Sequence, residues 1–356
     1  MKPQVLMLGP LPPPVGGMAS VVANLCGALA GDCDLSLLNT VKTTAAGRSL
    51  ASALRVHAGL LTTLARRCLA TRPVVHIHTC SWFSFWRNAV DVLVAKACGA
   101  RVVLHIHGAE FHRFLGALDP LRAALARAVF ARCDRVVTLG PRWRQLLCDW
   151  CDPARVSVIA NGVALAPPRT PAQREAFTVV CFANYETRKA QDDLIRAVAR
   201  LDHRRPVRLV LLGMEAEAGR RAALLALATS LGIAEHVLVP GPVSGEQKER
   251  WWQAADVFCL PSHNEGLPMA MLEAMAQAIP VVVTRVGSVP DAIEENEDGL
   301  LFTPGDVDQL HAHLVRLRDE PATARRLGLA GHARCARDFS LAASSAALLA
   351  LYRELA

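Results

Sequence analysis

Short apolar, β-branched runs alternate along the chain with longer helical patterns. In the front half the runs are Val5–Leu8, Val74–Ile77, Val102–Ile106, Arg135–Leu139 and Val156–Ile159. In the back half they are Thr178–Phe182, Arg208–Leu212, His236–Val239, Val257–Leu260, Pro280–Thr284 and Gly299–Phe302. Runs without polar alternation are expected of strands buried on both faces, the pattern of a parallel sheet. Helical candidates between them include Ala19–Ala30, Leu121–Arg132, Asp192–Leu201, Gly219–Leu231, Met269–Gln277 and Val307–Arg318, and an Ala/Leu-rich helix closes the chain over Leu341–Leu355. The repeated strand–helix order predicts a doubly wound α/β sheet, and predicts it twice.

The two patterns are separated by Asn161-Gly162-Val163, a turn signal, and by Ala166-Pro167-Pro168-Arg169-Thr170-Pro171, which can continue neither a sheet nor a helix. The linker is therefore expected at about 163–175, between domains over 1–165 and 172–340. A length of 356 residues agrees with two domains of ordinary size. No apolar run reaches the roughly 18 residues of a spanning helix, so no transmembrane segment is predicted. The run Val5–Gly9 is too short for a signal-peptide core and reads as a first buried strand. Eleven cysteines, an odd number scattered through apolar segments, fit buried free thiols in a reducing cytoplasm better than a disulfide framework. The single C-x-x-C, Cys148 to Cys151, has no second pair and reads as coincidence.

Charge adds an asymmetry. Through Leu165 there are 18 Lys+Arg against 8 Asp+Glu, a formal +10; from Ala166 onward there are 21 against 24, a formal −3. The halves are expected to have different partners, and the front half an anionic one.

In open parallel sheets, chemistry lies in the loops beyond the carboxyl ends of the strands. The most informative segment runs from Ala255 to Ala276. A buried strand ends at Leu260, the polar loop Pro261–Gly266 follows, and Pro268 suits the first position of a helix. Gly266 permits close backbone approach to a ligand, and the free amides of the helix start favour a phosphate. Glu265 and Glu273 flank that start, separated by roughly 9 Å along the axis. Two carboxylates there could accept hydroxyls on either side of a diphosphate, or be a helix-start charge and a solvated helix face.

This stretch resembles the signature of the retaining nucleotide-sugar glycosyltransferases of family 4, an α/β family with the GT-B fold of two Rossmann-like domains facing across a cleft. The likeness continues through Ala278–Thr284, Val286–Asp291 and Asp298–Leu301. It implies that Glu265 faces the transferred sugar, that Glu273 faces the ribose, and that the backbone of Gly266, Leu267 and Pro268 holds sugar and phosphate. In the segment Phe182–Ala190, Lys189 aligns with the family lysine that contacts the donor diphosphate. Asn184 stands where the family places an arginine and Ala190 where it places a glycine; Arg188 is the candidate to supply the missing charge. The Gly16-Gly17 loop after the first strand resembles the family's donor-closing loop, although a structural turn reads equally from the residues.

His-x-His occurs twice at strand ends, as His76-Ile77-His78 and His105-Ile106-His107. Alternation puts each pair on one side of its strand. Without a carboxylate or cysteine at ligand-like spacing, a metal cluster is not expected, and His76 and His105 read as core histidines satisfied by backbone groups. The resemblance makes His107, in His107-Gly108-Ala109-Glu110-Phe111, the residue that orients the reacting sugar.

The segment His78–Arg87 carries four aromatics, read as a loop that lines an acceptor site or caps the core. Arg48–Leu69 reads as a basic amphipathic helix, either lying on an anionic membrane or packed on the sheet. Dispersed arginines without a recognition motif argue against nucleic acid. Taken with the resemblance, the expected function is a retaining glycosyltransferase. It needs neither metal nor cofactor and moves a sugar from a nucleotide diphosphate onto a growing lipid-linked glycan of exopolysaccharide or lipopolysaccharide type. It is expected to be cytoplasmic and peripheral at the inner face of the membrane. The front domain takes the acceptor, the back domain the nucleotide sugar, and the helix at about 341–356 packs back toward the front domain. A sugar-nucleotide epimerase or phosphorylase on the same fold, or a non-catalytic scaffold, are the alternatives. Intact Glu265, Glu273, Lys189 and His107 weigh against the scaffold, and no context for a pyridoxal-binding lysine weighs against a phosphorylase of the glycogen type.

Overall fold

A computed structural model describes residues 2–13, 16–40, 50–168, 175–202 and 206–356. Arg48 and Ser49 of the amphipathic stretch, Pro14 and Val15 of the first loop, and 169–174 of the expected linker lie outside the described residues. The chain divides into two compact units, Met1–Gly162 with Leu341–Ala356, and Val163–Ser340.

The first unit comprises β1 (Gln4–Gly9), α1 (Gly17–Leu29), β2 (Asp34–Asn39), α2 (Leu50–Thr71), β3 (Val74–Thr79), α3 (Phe83–Ala97), β4 (Arg101–Ile106), α4 (Phe111–Gly116), α5 (Pro120–Arg132), β5 (Arg135–Thr138), α6 (Pro141–Cys148) and β6 (Val156–Val158). Its sheet is parallel throughout, in the order β2-β1-β3-β4-β5-β6. The second unit comprises β7 (Phe177–Phe182), α7 (Gln191–Ala199), β8 (Val207–Leu212), α8 (Arg220–Ser230), β9 (Val237–Gly241), α9 (Gly245–Ala254), β10 (Val257–Leu260), α10 (Met269–Ala276), β11 (Val281–Thr284), α11 (Val289–Ala292), β12 (Leu300–Phe302), α12 (Val307–Asp319) and α13 (Pro321–Asp338). Its parallel sheet runs β12-β11-β10-β7-β8-β9. The last helix, α14 (Leu341–Leu355), returns to the first unit and packs beside α1.

Both cores follow from the unbroken apolar runs. Leu6, Leu8, Val75, Ile77, Val102 and Leu104 are buried under the helices of the first unit, and Val179, Val180, Val210, Phe258 and Val282 are buried in the second. Two features depart from the sequence reading. Strand β2 was not expected, because Asp34-Leu35-Ser36-Leu37-Leu38-Asn39 is a polar-studded edge strand, half-buried in its middle and exposed at both ends. The aromatic run after β3 is not a loop: it opens α3. Trp82 adopts a left-handed φ of 60° and turns the chain into the helix. Phe85 then drops into the core against Phe111, Phe114 and Phe130, while Phe83 stays exposed.

Candidate functional site

In the second unit, strand order reverses between β7 and β10, and the loops after these two strands meet at the carboxyl edge of the sheet, the place where open α/β sheets bind ligands. The loop after β7 passes close over Gly213, where a Cβ would lie 2.1 Å from the Ala183 carbonyl. It then forms a single turn over Thr187–Lys189, ended by Ala190 at φ +49°. That is a left-handed position where glycine fits without strain, and alanine occupies it here. The turn presents Lys189 to the loop after β10. Its Nζ lies 2.5 Å from Glu265 Oε1, and Ser262 Oγ donates to the same oxygen at 2.7 Å. Both side chains of the ion pair are largely buried, at 13% and 9% exposure.

The backbone around Glu265 is clamped from two sides. The His263 amide donates to the Arg188 carbonyl at 2.9 Å, and the Ser288 amide donates to the Gly266 carbonyl at 2.8 Å. Gly287, at φ +56°, sits so close that a Cβ there would lie 1.9 Å from the Glu265 carbonyl oxygen. Leu267 is buried, and Pro268 is the N-cap, one position before the first helical residue expected of it. Glu273 projects from α10 to Lys248 of α9, with Oε2 and Nζ 2.7 Å apart. Lys248 in turn lies 5.7 Å from the centre of the Phe182 ring, at the end of β7.

The structure therefore brings Lys189, Glu265, Gly266, Leu267, Pro268 and Glu273 to one edge of one sheet. Arg188 borders this group but is committed, with Nε 2.5 Å from Glu186 Oε2 and Nη1 3.5 Å from the Asn264 carbonyl. The Asn184 side-chain oxygen accepts from the Met214 amide at 3.4 Å, and its carbonyl accepts from Gln191 Nε2 at 2.8 Å. Asn184 thus braces the loop after β8. Lys248 was missed by sequence reasoning: in Lys248-Glu249-Arg250-Trp251-Trp252 nothing separates it from a surface lysine.

In the first unit the order reverses between β1 and β3. Gly16 is the N-cap of α1 and Gly17 its first residue, and a Cβ at either would meet nothing, so packing alone does not require glycine. His107 follows β4, with its amide donating to the Thr79 carbonyl at 2.8 Å. Gly108 lies against the loop after β3, where a Cβ would come within 2.7 Å of the Ser81 amide nitrogen.

The four histidines of the two His-x-His runs assemble on one face, since the parallel register sets His78 beside His105. His76 Nδ1 pairs with the Tyr352 hydroxyl of α14 at 2.5 Å, His76 Nε2 with His105 Nδ1 at 3.2 Å, and His78 Nδ1 with His107 Nε2 at 2.8 Å. His76 is thus satisfied by Tyr352 and His105, and His105 is paired through Nδ1 alone, its Nε2 being buried without a hydrogen-bond partner; neither is held by the backbone groups expected from sequence, because alternation on adjacent strands puts imidazole against imidazole. Burial pulls His76 and His107 down to about 3, and pulls His78 and His105 well below the ordinary histidine value, with neighbouring imidazoles adding to it. All four are neutral near pH 7. Ring nitrogens of His76, His78 and His105 lie within 4.8 Å of one another, close enough to be weighed as a metal set. His107 belongs to the first unit and Glu265 to the second.

Two doubly wound parallel-sheet units in one chain, each with its polar residues at the carboxyl edge, define the α/β GT-B class of fold. Sucrose-phosphate synthase of Thermosynechococcus elongatus shares it at a TM-score of 0.79 and 20% identity, over 99% of both chains. HepE of Anabaena, in complex with UDP, shares it at 0.78 and 15%, over 99% of this chain and 100% of that one. The family model for glycosyltransferase family 4 matches residues 15–166, and that for glycosyl transferases group 1 matches 166–334. The chain belongs to this glycosyltransferase family. It is 34% identical over 213 residues to the MMP alpha-(1->4)-mannosyltransferase of Mycolicibacterium hassiacum, covering 59% of this chain and 51% of the relative. It is 33% identical over 249 residues to the D-inositol 3-phosphate glycosyltransferase of Thermomonospora curvata, covering 63% and 58%. The chain thus spans a little over half the length of these curated relatives.

Proposed function

We propose that this chain is a retaining glycosyltransferase that moves a sugar from a nucleoside diphosphate donor to a growing, lipid-linked glycan of exopolysaccharide or lipopolysaccharide type. The observation that carries the reading is the meeting of Lys189 and Glu265 at the switch point of the second unit, beside the start of α10. A diphosphate placed there takes up the Lys189 ammonium and the free amides of the helix start, and both stabilise the charge that grows on the leaving group. Glu265 is then released to accept a sugar hydroxyl, and Glu273 the ribose hydroxyls. This division of labour needs no resident metal or other cofactor. Arg188, and less directly Asn184, shape the phosphate side, and the Gly16-Gly17 loop leaves room for the donor. No side chain at this edge is an evident nucleophile, so same-face displacement assisted by the leaving phosphate is the route the residues favour. His107, neutral and half-buried, orients a hydroxyl of the transferred sugar. Relatives named for mannosyl and inositol-phosphate transfer, and HepE bound to UDP, support a nucleotide-sugar donor.

The acceptor side belongs in this reading to the first unit. Among the described residues no helix is long and apolar enough to cross a membrane. Yet α3 packs between α2 and α5, and these helices expose Leu54, Leu69, Phe83, Leu93, Leu121 and Leu125. Helices α2 and α5 together carry six arginines and no acidic residue. A basic face studded with apolar side chains suits the anionic inner surface of the cell membrane, reached from the cytoplasm. The test is a thermal-shift panel of UDP, GDP, ADP and their sugars, run beside flotation with phosphatidylglycerol and phosphatidylcholine vesicles. Stabilisation by one nucleotide series and flotation with the anionic lipid alone are expected. Silence across the whole panel overturns the donor assignment in favour of a non-catalytic scaffold.

A further inference from the structure

The four histidines form two edge-to-edge pairs laid one over the other. The His76–His105 rings are 8° from parallel and the His78–His107 rings 24°, while His76 stacks on His78 at 4.3 Å and His105 on His107 at 4.1 Å between ring centres. Within the second pair, His78 Nδ1 and His107 Nε2 lie 2.8 Å apart and share one hydrogen bond. The other nitrogen of His78, Nε2, is buried without a hydrogen-bond partner. Gly9 makes room for this ring: a Cβ there would lie 3.3 Å from His78 Cδ2.

A neutral imidazole has one N–H and one bare lone pair, so a hydrogen-bonded pair has two proton placements. In one, His107 donates from Nε2, and the His78 proton is left on Nε2 as a buried donor with no acceptor. In the other, His78 donates from Nδ1, its Nε2 is only an unfilled lone pair, and the His107 proton sits on Nδ1. Orphaned buried N–H groups are rarer in proteins than unfilled acceptors, which decides for the second placement.

We propose that His78 is a positioning residue that locks His107 in the Nδ1–H tautomer, so that His107 meets its ligand as a neutral hydrogen-bond donor to an oxygen of the transferred sugar. The sugar part rests on the function proposed above; the tautomer does not. A neutral donor suits the chemistry. It holds a hydroxyl oxygen without setting a full positive charge beside a carbon that becomes electron-poor as the phosphate leaves. A metal is the weaker reading of the same cluster. His76 already spends both ring nitrogens on Tyr352 and His105, and the group contains no carboxylate or thiolate to neutralise a dication.

The test is 15N NMR of the full chain labelled at histidine, with His107 assigned by the signals lost in His107→Asn. Wild type is expected to show a protonated Nδ1 and a bare Nε2 at His107. His78→Leu removes the donor and yields a mixture of tautomers. His78→Asn, whose amide nitrogen stands near the place of Nδ1, restores the single form. With the donor found in the nucleotide panel, His78→Leu lowers kcat about tenfold with KM little changed, and His78→Asn recovers most of it. A protonated Nε2 at His107 in wild type overturns the proposal, as does stoichiometric Zn2+ uptake that moves the His76, His78 and His105 signals. If no donor is turned over at all, the function proposed above fails while the NMR result still decides the tautomer.

Discussion

Lys189 and Glu265 lie 76 residues apart in sequence and meet with Nζ 2.5 Å from Oε1, on the two loops that follow β7 and β10 at the switch point of the second sheet. A pair this buried is costly to break from one side, because the remaining charge loses its partner and has little water. Lys189→Met alone and Glu265→Gln alone are each expected to cost about 3 kcal/mol in urea unfolding. The double variant should recover most of that loss while transferring no sugar. Additive losses would mean that the two charges are not coupled.

Glu273 is a contrasting case. Its partner is Lys248 at 2.7 Å, and the side chains are 23% and 29% exposed. Such a pair contributes about 1 kcal/mol or less. Glu273→Ala should therefore leave the melting temperature of the free protein within a few degrees of wild type. The nucleotide-induced rise should disappear. An unchanged nucleotide shift would remove Glu273 from the ribose role.

Gly287 and Gly219 both have positive φ, +56° and +78°, but only Gly287 has a neighbour in the way, the Glu265 carbonyl. Gly219→Ala should cost about 1 kcal/mol, the price of the backbone conformation alone. Gly287→Ala should cost at least twice that, measured by urea unfolding, and abolish nucleotide binding by pushing the Glu265–Gly266 backbone out of place. Equal losses for the two would show that the loop yields.

The strands of both sheets were legible because parallel strands buried on both faces leave runs such as Val102–Ile106 and Val257–Leu260 that nothing else in the chain resembles. Strand β2 was not, because an edge strand keeps Asp34, Ser36 and Asn39 and loses that contrast. Helix α3 was hidden by its own aromatics, which read as a loop lining until Phe85 is seen in the core and Phe83 outside it. At the candidate site, the spacing of Glu265 and Glu273 placed them about one helix start, but the partner of each is a lysine from another loop or helix. Pairings of that kind depend on which strands are neighbours in the sheet, and sequence distance carries no trace of them.

Asp91 on α3 is buried beside Asn88, whose Nδ2 donates to it at 3.0 Å, while its Oδ1 has no hydrogen-bond partner. Burial raises its carboxyl to about 6, offset in part by Arg87 and by the Asn88 hydrogen bond. His57 lies 3.7 Å away but, held low by burial and by Arg87, it is neutral at pH 7 and adds no charge. A carboxyl raised on folding gives stability that is full below the unfolded value near 3.9 and is lost as pH rises through 6. Asp91→Asn removes that loss. It should stabilise the protein at pH 7 by up to about 3 kcal/mol and leave it unchanged at pH 4. Destabilisation at pH 7 would show that the carboxylate has a compensating partner.

The histidine quartet sets the acid limb of stability. Unfolded histidines take up protons near pH 6.5. Folded, His76 and His107 resist until about 3, and burial holds His78 and His105 well below the ordinary value. A base held low on folding costs nothing while both states are neutral. As pH falls below 6.5 the unfolded state alone binds the proton, so stability drops progressively until the folded value is reached. Unfolding between pH 6 and 4 should therefore take up several protons, read as the pH slope of urea stability. His105→Leu should make that slope shallower by about one proton, roughly 1.4 kcal/mol per pH unit. An unchanged slope would mean that the buried imidazoles open to solvent and charge without unfolding.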